Sequence, residues 1–192
     1  QFDTINDATS SNVVLSGGVT DAVTAFAAAD GTTTASLAAI KLQDPDAVIT
    51  VTNAANVAQF DTINDATSSN VVLSGGLSDT AAALAPGGVA SASLGAATTQ
   101  DPDVAITITG ASPTVAELNT ISGSTTGAVT ASVSGNYATV STLTVASKDA
   151  VSITVTDAID VSEFSALDAK TSSDIIAQGG VTDAVTAFAA AD

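Results

Sequence analysis

Apolar and polar residues alternate in a few short segments that return along the chain. Ile49-Thr-Val-Thr52, Ile106-Thr-Ile-Thr109 and Ile153-Thr-Val-Thr156 set a β-branched apolar residue at every second position with Thr between, the pattern of a strand buried on one face. A helical pattern follows each. Asn56 precedes VAQ, Thr114 precedes VAE and Asp160 precedes VSE. Each can offer an N-cap oxygen to the third amide, with Gln or Glu at N3 reaching back, which is a capping box. In the last copy Ile159 at N′ is placed to staple onto Phe164 at N4. Val57, Phe60 and Ile63 then give one apolar stripe, and the chain breaks at Asn64-Asp65, at Gly123 or at Asp168. A second strand is expected at Val71 to Leu73, Ala128 to Val133 and Ile175 to Ala177, and the Gly pairs 75–76 and 179–180 turn the chain. A second helix should start near Ser78, Asn136 or Thr182 and run through TAAALA or AVTAFAAA. Asp21, Asp79 and Asp183 fall in its first turn, where a carboxylate suits the positive end of the helix dipole. Pro86-Gly87 and Gly31 lie where it should stop.

These segments are copies of one another. Residues 1–18, QFDTINDATSSNVVLSGG, recur letter for letter at 59–76, and residues 17–30, GGVTDAVTAFAAAD, recur at 179–192. VAQF at 57–60 returns as VAEL at 115–118 and VSEF at 161–164. The longer copies carry an insertion, GTTTASLAAIKLQDPD at 31–46 and GGVASASLGAATTQDPD at 87–103. It reads as loop on a repeat core of about 46 residues, so deleting 31–42 should leave the fold intact. A strand and a short helix alternating in this way imply an α/β solenoid of stacked rungs, with one parallel sheet as one wall and helices as the other. An all-β parallel solenoid is the alternative, and a doubly wound α/β globule gives no reason for near-identical copies. The expected organisation is one continuous array over 1–192, with copies near 1–47, 48–104, 105–151 and 152–192. No atypical capping repeat stands at either end, as expected of a slice from a longer array.

Composition narrows the chemistry. The chain has 192 residues with 20 acidic and 3 basic side chains, no His, Cys, Met or Trp, and a formal charge of −17. Without Cys and His there is no zinc finger, thiolate nucleophile, iron–sulfur ligation or histidine-based triad. The charge argues against nucleic acid and anionic membranes as partners. No apolar run approaches the roughly 18 residues of a membrane helix, so no membrane insertion is expected. The hydrophobic share of 45% is too high for disorder, and with only five Phe and one Tyr the core must be thin and built from small residues. The chain opens on Gln1 without a basic n-region, so any signal peptide is removed or lies outside it.

Few residues offer a site. Asp44-Pro45-Asp46 and Asp101-Pro102-Asp103 stand in matching insertions just before a strand. Asp44, Asp46, Asp101 and Asp103 could hold calcium, a hard cation that prefers oxygen ligands; the competing reading is that Asp and Pro are turn formers there. GGVTDAVTA invites comparison with the GGxGxDxUx calcium nonapeptide, but Thr20 stands where the third Gly belongs and the Asp comes one place early. Thr50/Thr52, Thr107/Thr109 and Thr154/Thr156 should project from one sheet face, either as ordinary exposed strand residues or as an array that orders ice. Paired carboxylates are the one catalytic device available. With no histidine to move protons, and no partner pattern around Lys41, Lys148 or Lys170, no enzyme is expected and no cofactor beyond possible calcium.

ITVTDAIDVSEFSALDAKTSSDI (153–175) and AQFDTINDATSSNVVLSGGLSDTAAAL (58–84) resemble the repeats of very large secreted proteins of marine bacteria, cyanobacteria above all. The resemblance covers nearly the whole chain, although the calcium nonapeptides that often accompany such repeats are missing. It implies an extracellular or cell-surface role as adhesin, surface layer or fibre. The expected function is therefore a structural repeat protein that builds a stalk, fibre or coat by rung stacking, with end-to-end or lateral self-association. A calcium-dependent adhesin or surface-binding module is the alternative.

Overall fold

A computed structural model describes residues 2–185 and 188. The chain begins with α1 (Phe2–Ala8), β1 (Val19–Asp21), α2 (Val23–Phe26), α3 (Ala35–Gln43), β2 (Ile49–Val51), α4 (Val57–Asn64) and β3 (Val71–Val72). It continues through β4 (Leu77–Thr80), α5 (Ala81–Leu84), a 3-10 turn (Pro86–Gly88), α6 (Ala92–Gln100), β5 (Ile106–Thr109) and α7 (Val115–Ser124). The last elements are β6 (Val129–Gly135), α8 (Tyr137–Val140), β7 (Ala150–Val155), α9 (Val161–Asp168) and β8 (Ile175–Ala177). Two compact units result, one of residues 1–79 with 92–105 and one of 80–91 with 106–192.

The architecture is α/β with two parallel sheets, ordered β1-β2-β3 and β4-β5-β6-β7-β8. Strands adjacent in sequence are adjacent in the sheet. In the first unit Val19 pairs with Ile49 and Ile49 with Val71; in the second, Ala131 pairs with Val151 and Ile153 with Ile175. A parallel neighbour requires a crossover, and nearly every crossover here carries a short helix.

Alternation decides which face is covered. Ile49 and Val51 of β2, Val129, Ala131 and Val133 of β6, and Val151, Ile153 and Val155 of β7 are buried, while the residues between them are part-exposed or exposed. Thr20 stands beside Thr50, Thr107 beside Thr130, Ser132 beside Ser152, and Ser134 beside Thr154. The outward face is thus largely hydroxyl, and Thr50, Thr107 and Thr154 stand on it as the alternation predicts. Parallel sheets are usually covered on both faces; these are covered on one.

The helices supply the cover through pairs of apolar residues one turn apart: Val23 and Phe26 in α2, Leu37 and Ile40 in α3, Phe60 and Ile63 in α4, Leu118 and Ile121 in α7. All eight are buried, each stabilising by roughly 1.5–3 kcal/mol relative to exposure. All three expected capping boxes are present. Asn56, Thr114 and Asp160 accept from the amides of Gln59, Glu117 and Glu163, whose side chains return to the cap amides.

Several expectations change. There are two sheets rather than one, and the break falls at Gly75-Gly76 between β3 and β4. Gly76 has φ +81°, its amide donates to the Leu73 carbonyl at 2.8 Å, and a Cβ on Gly75 would overlap the Asn53 backbone. The chain turns too tightly there for a strand to continue. In the third copy this stretch lacks the Gly pair, and β6 runs unbroken over seven residues. The insertions are not loop: they hold α3 and α6, which bury Leu37, Ile40, Leu94 and Ala97. Deleting 31–42 therefore removes core rather than surface. Helix α5 is capped by Thr80 rather than starting near Ser78, and α7 passes through Gly123 before ending. Most of the AVTAFAAA helix expected in the last copy lies outside the described residues.

Two substitutions test this packing. Gly17 and Gly75 occupy the same place in the duplicated sequence, yet a Cβ on Gly17 meets open space. Gly75→Ala should lower stability by about 1–3 kcal/mol and Gly17→Ala should not; equal urea midpoints would refute the close approach to Asn53. Thr114→Ala, which removes an N-cap, should cost roughly 0.5–2 kcal/mol in the same assay.

Candidate functional site

The two Asp-Pro-Asp loops end the inserted helices, and each first carboxylate faces the backbone of the strand-like segment before it. Asp44, just past α3, accepts from the Leu15 amide at 2.5 Å, and Gln43 accepts from Val13 at 3.2 Å. In the second copy Asp101 accepts from Leu73 at 2.7 Å and Gln100 from Val71 at 3.4 Å. The first Asp of each loop is thus a side-chain acceptor for backbone N–H groups that an edge leaves open. The second Asp, Asp46 or Asp103, lies beside the first. The Leu15 amide and then the Asp46 carboxyl hold Asp44 below its ordinary value, while the hydrogen bond to Asp44 raises Asp46. Burial raises Asp101, with the Asp103 hydrogen bond and charge adding to it. The structure brings together Asp44 with Asp46, and Asp101 with Asp103. Among the described residues no group of three or more His, Cys, Asp or Glu side chains is placed to hold a metal ion.

The third copy lacks the inserted helix, and Asp149 takes over its task. This fully buried carboxylate accepts from the Val129 amide at 2.9 Å, the Ser122 hydroxyl at 2.6 Å and the Ala146 amide at 3.0 Å. Lys148 Nζ lies 2.9 Å away and also donates to the Gly127 carbonyl. Burial alone would raise its pKa, but the hydrogen bonds from Ser122, Lys148, Val129 and Ala146 outweigh that and hold it below the ordinary value. In the next step Thr171 takes the role, accepting from the Val151 amide at 3.0 Å and donating to the Val151 carbonyl at 2.7 Å.

A second set of ties joins helix starts to a later segment of the chain. Asn53 accepts from the Val23 amide at 2.7 Å, Asp79 from Val57 at 3.1 Å, Asp157 from Tyr137 at 2.8 Å and Asp183 from Val161 at 3.3 Å. Each donor is the first residue of a helix, where the amide has no partner within the helix. The starts of α4, α8 and α9 are therefore capped twice, by their own N-cap at the third amide and by a side chain about twenty residues on at the first; α2, whose N-cap is Ala22, has only the second. This corrects the placing of Asp79, which precedes the α5 N-cap and serves α4. Sequence reasoning missed this set because each acceptor lies twenty to thirty residues beyond the helix start it caps. The available signal was recurrence: Asn53 and Asp157 both follow a V-T pair, and Asp79 and Asp183 both follow a Gly pair by the same interval.

Open depressions accompany these ties. One of about 400 Å³ is lined by Phe2, Ile5, Leu15, Val19, Phe26 and Ile40 among others. Another of about 350 Å³ lies beside Asp101 and Asp103, over Gly75 and Gly76.

The depressed pKa of Asp149 gives a signed pH dependence. A carboxyl whose folded pKa lies below its unfolded value contributes stability above that unfolded value, and the contribution is lost as pH falls through the folded one. Asp149→Asn should cost roughly 1–3 kcal/mol at neutral pH and flatten the loss of urea midpoint below about pH 4. An acid slope unchanged by the substitution would remove Asp149 from this role.

No family model matches this chain, and no curated protein sequence or solved structure matches it.

Proposed function

We propose that this chain is a structural module of a secreted or cell-surface repeat array, a solenoid whose rungs stack to build a stalk, fibre or coat. One observation carries the reading: successive rungs are joined at matching positions by side-chain-to-backbone hydrogen bonds that recur from copy to copy. Gln43/Asp44 and Gln100/Asp101 repeat one tie; Asn53, Asp79, Asp157 and Asp183 repeat another. Such ties fix each rung to its neighbour, so stiffness and length rise by adding copies rather than by enlarging a core. The net charge of −17 keeps a long array dispersed through self-repulsion. In this reading the work is mechanical and the protein is not an enzyme.

Tandem proteins test it. Residues 179–192 repeat 17–30, so joining copies of 17–178 end to end carries the same letters across each junction. Small-angle scattering should show a maximum dimension that rises linearly with copy number. A dimension growing as the cube root of mass would contradict the reading.

A further inference from the structure

The sequence duplications let identical letters be compared with and without a following rung. In 17–30, Val23 is 3% exposed and Phe26 is 1% exposed; in 179–192 their counterparts Val185 and Phe188 are 85% and 49% exposed. What covers the first copy is the segment after it. Helix α3 packs on α2, with Leu37 and Ile40 buried. Thr34 donates through its amide and hydroxyl to the Phe26 carbonyl, β2 pairs along β1, and Asn53 takes the Val23 amide. All of these groups lie in 31–58.

The mirror comparison shows the same dependence on neighbouring segments. Phe60 and Ile63 are fully buried in 59–76, where α4 packs on α2 and α6, while the identical Ile5 in 1–18 is 55% exposed.

Resting on the array reading, we propose that the face carrying Val185 and Phe188 is a docking surface for one further strand–helix rung with the chemistry of residues 31–58. That rung would lay an ITV strand along Val181–Asp183, a Leu-x-x-Ile helix stripe over Val185 and Phe188, and an Asn side chain on the Val185 amide. An intact second copy cannot supply it, because its own Leu37, Ile40, Ile49 and Val51 are already 0–1% exposed. The occupant is a rung not yet engaged in another array.

The test appends the sequence of 31–58 after Asp192 and follows hydrogen exchange by residue. Two controls are a scrambled extension and one carrying Leu37→Asp and Ile40→Asp in the appended copy. Amides of Val181–Asp183 and Val185 should slow at least about tenfold with the native extension and stay unchanged with both controls. Equal rates in all three proteins would overturn the proposal. So would protection that appears in the unextended chain with rising concentration, which would make a second copy the occupant. The array reading is judged separately in the same data by β2 and β7 of the unextended chain. If those strands are protected while Val181–Asp183 does not respond, the docking surface falls and the array stands; if β2 and β7 also exchange freely, the array falls first.

Discussion

Backbone amides at the starts of short elements have to find acceptors outside their own element, and this structure is organised around that constraint. Its helices run from four residues in α2, α5 and α8 to ten in α7. Isolated helices need about 12–15 residues to persist in water. None of these would stand alone; they depend on the apolar residues they bury and on caps supplied by their own N-terminal residue or by a later segment of the chain. The strands are as short, and their free amides are taken by Gln43, Asp44, Gln100, Asp101, Asp149 and Thr171.

That constraint also explains the composition. The recurrent demand is for acceptors, because every helix start and every open strand edge presents N–H groups. Asp, Asn, Gln and Thr meet it, and ionised carboxylates meet it best. The caps stay ionised: Glu117 is held below its ordinary value by the Thr114 amide and hydroxyl, and Asp160 by the Glu163 amide and the Ser162 hydroxyl. Two of the few lysines work in the opposite sense, Lys148 on the Gly127 carbonyl and Lys170 on the Leu143 carbonyl. A strongly acidic surface follows from the capping scheme without any need for a cationic partner. Small side chains follow in the same way, since sheet and helix close on one another through at most two buried apolar residues per helix.

What lay within one element was legible in the sequence. The T-x-T alternation marked one-faced strands, and the spacing of Asn56, Thr114 and Asp160 from Gln or Glu marked three capping boxes, because both partners lie within a single turn. What depended on two segments distant in sequence was not. Val57 gives no sign that Asp79 will cap it, and Leu15 gives none that Asp44 will. The inserted segments looked like loop because Thr, Ala and Gly dominate them, yet Leu37 with Ile40, and Leu94 with Ala97, have the spacing of a buried helix stripe. The Asp-Pro-Asp loops offered a choice between calcium and turn chemistry; the structure shows the turn in both copies, the Ala47 amide donating to the Asp44 carbonyl and the Val104 amide to the Asp101 carbonyl, and adds a role that the sequence hid, the first carboxylate accepting from a backbone amide of the preceding segment. The second sheet was hidden in Gly75, whose close neighbour Asn53 lies just after β2.

The central claim is that identical residues differ here only through what adjoins them. Residue-resolved hydrogen exchange of the unmodified chain addresses it directly, because 1–18 and 59–76 have the same letters and nearly the same intrinsic exchange rates. The amide of Ile63 should exchange orders of magnitude more slowly than that of Ile5. Equal rates at the two would mean that neighbouring segments do not hold this structure together.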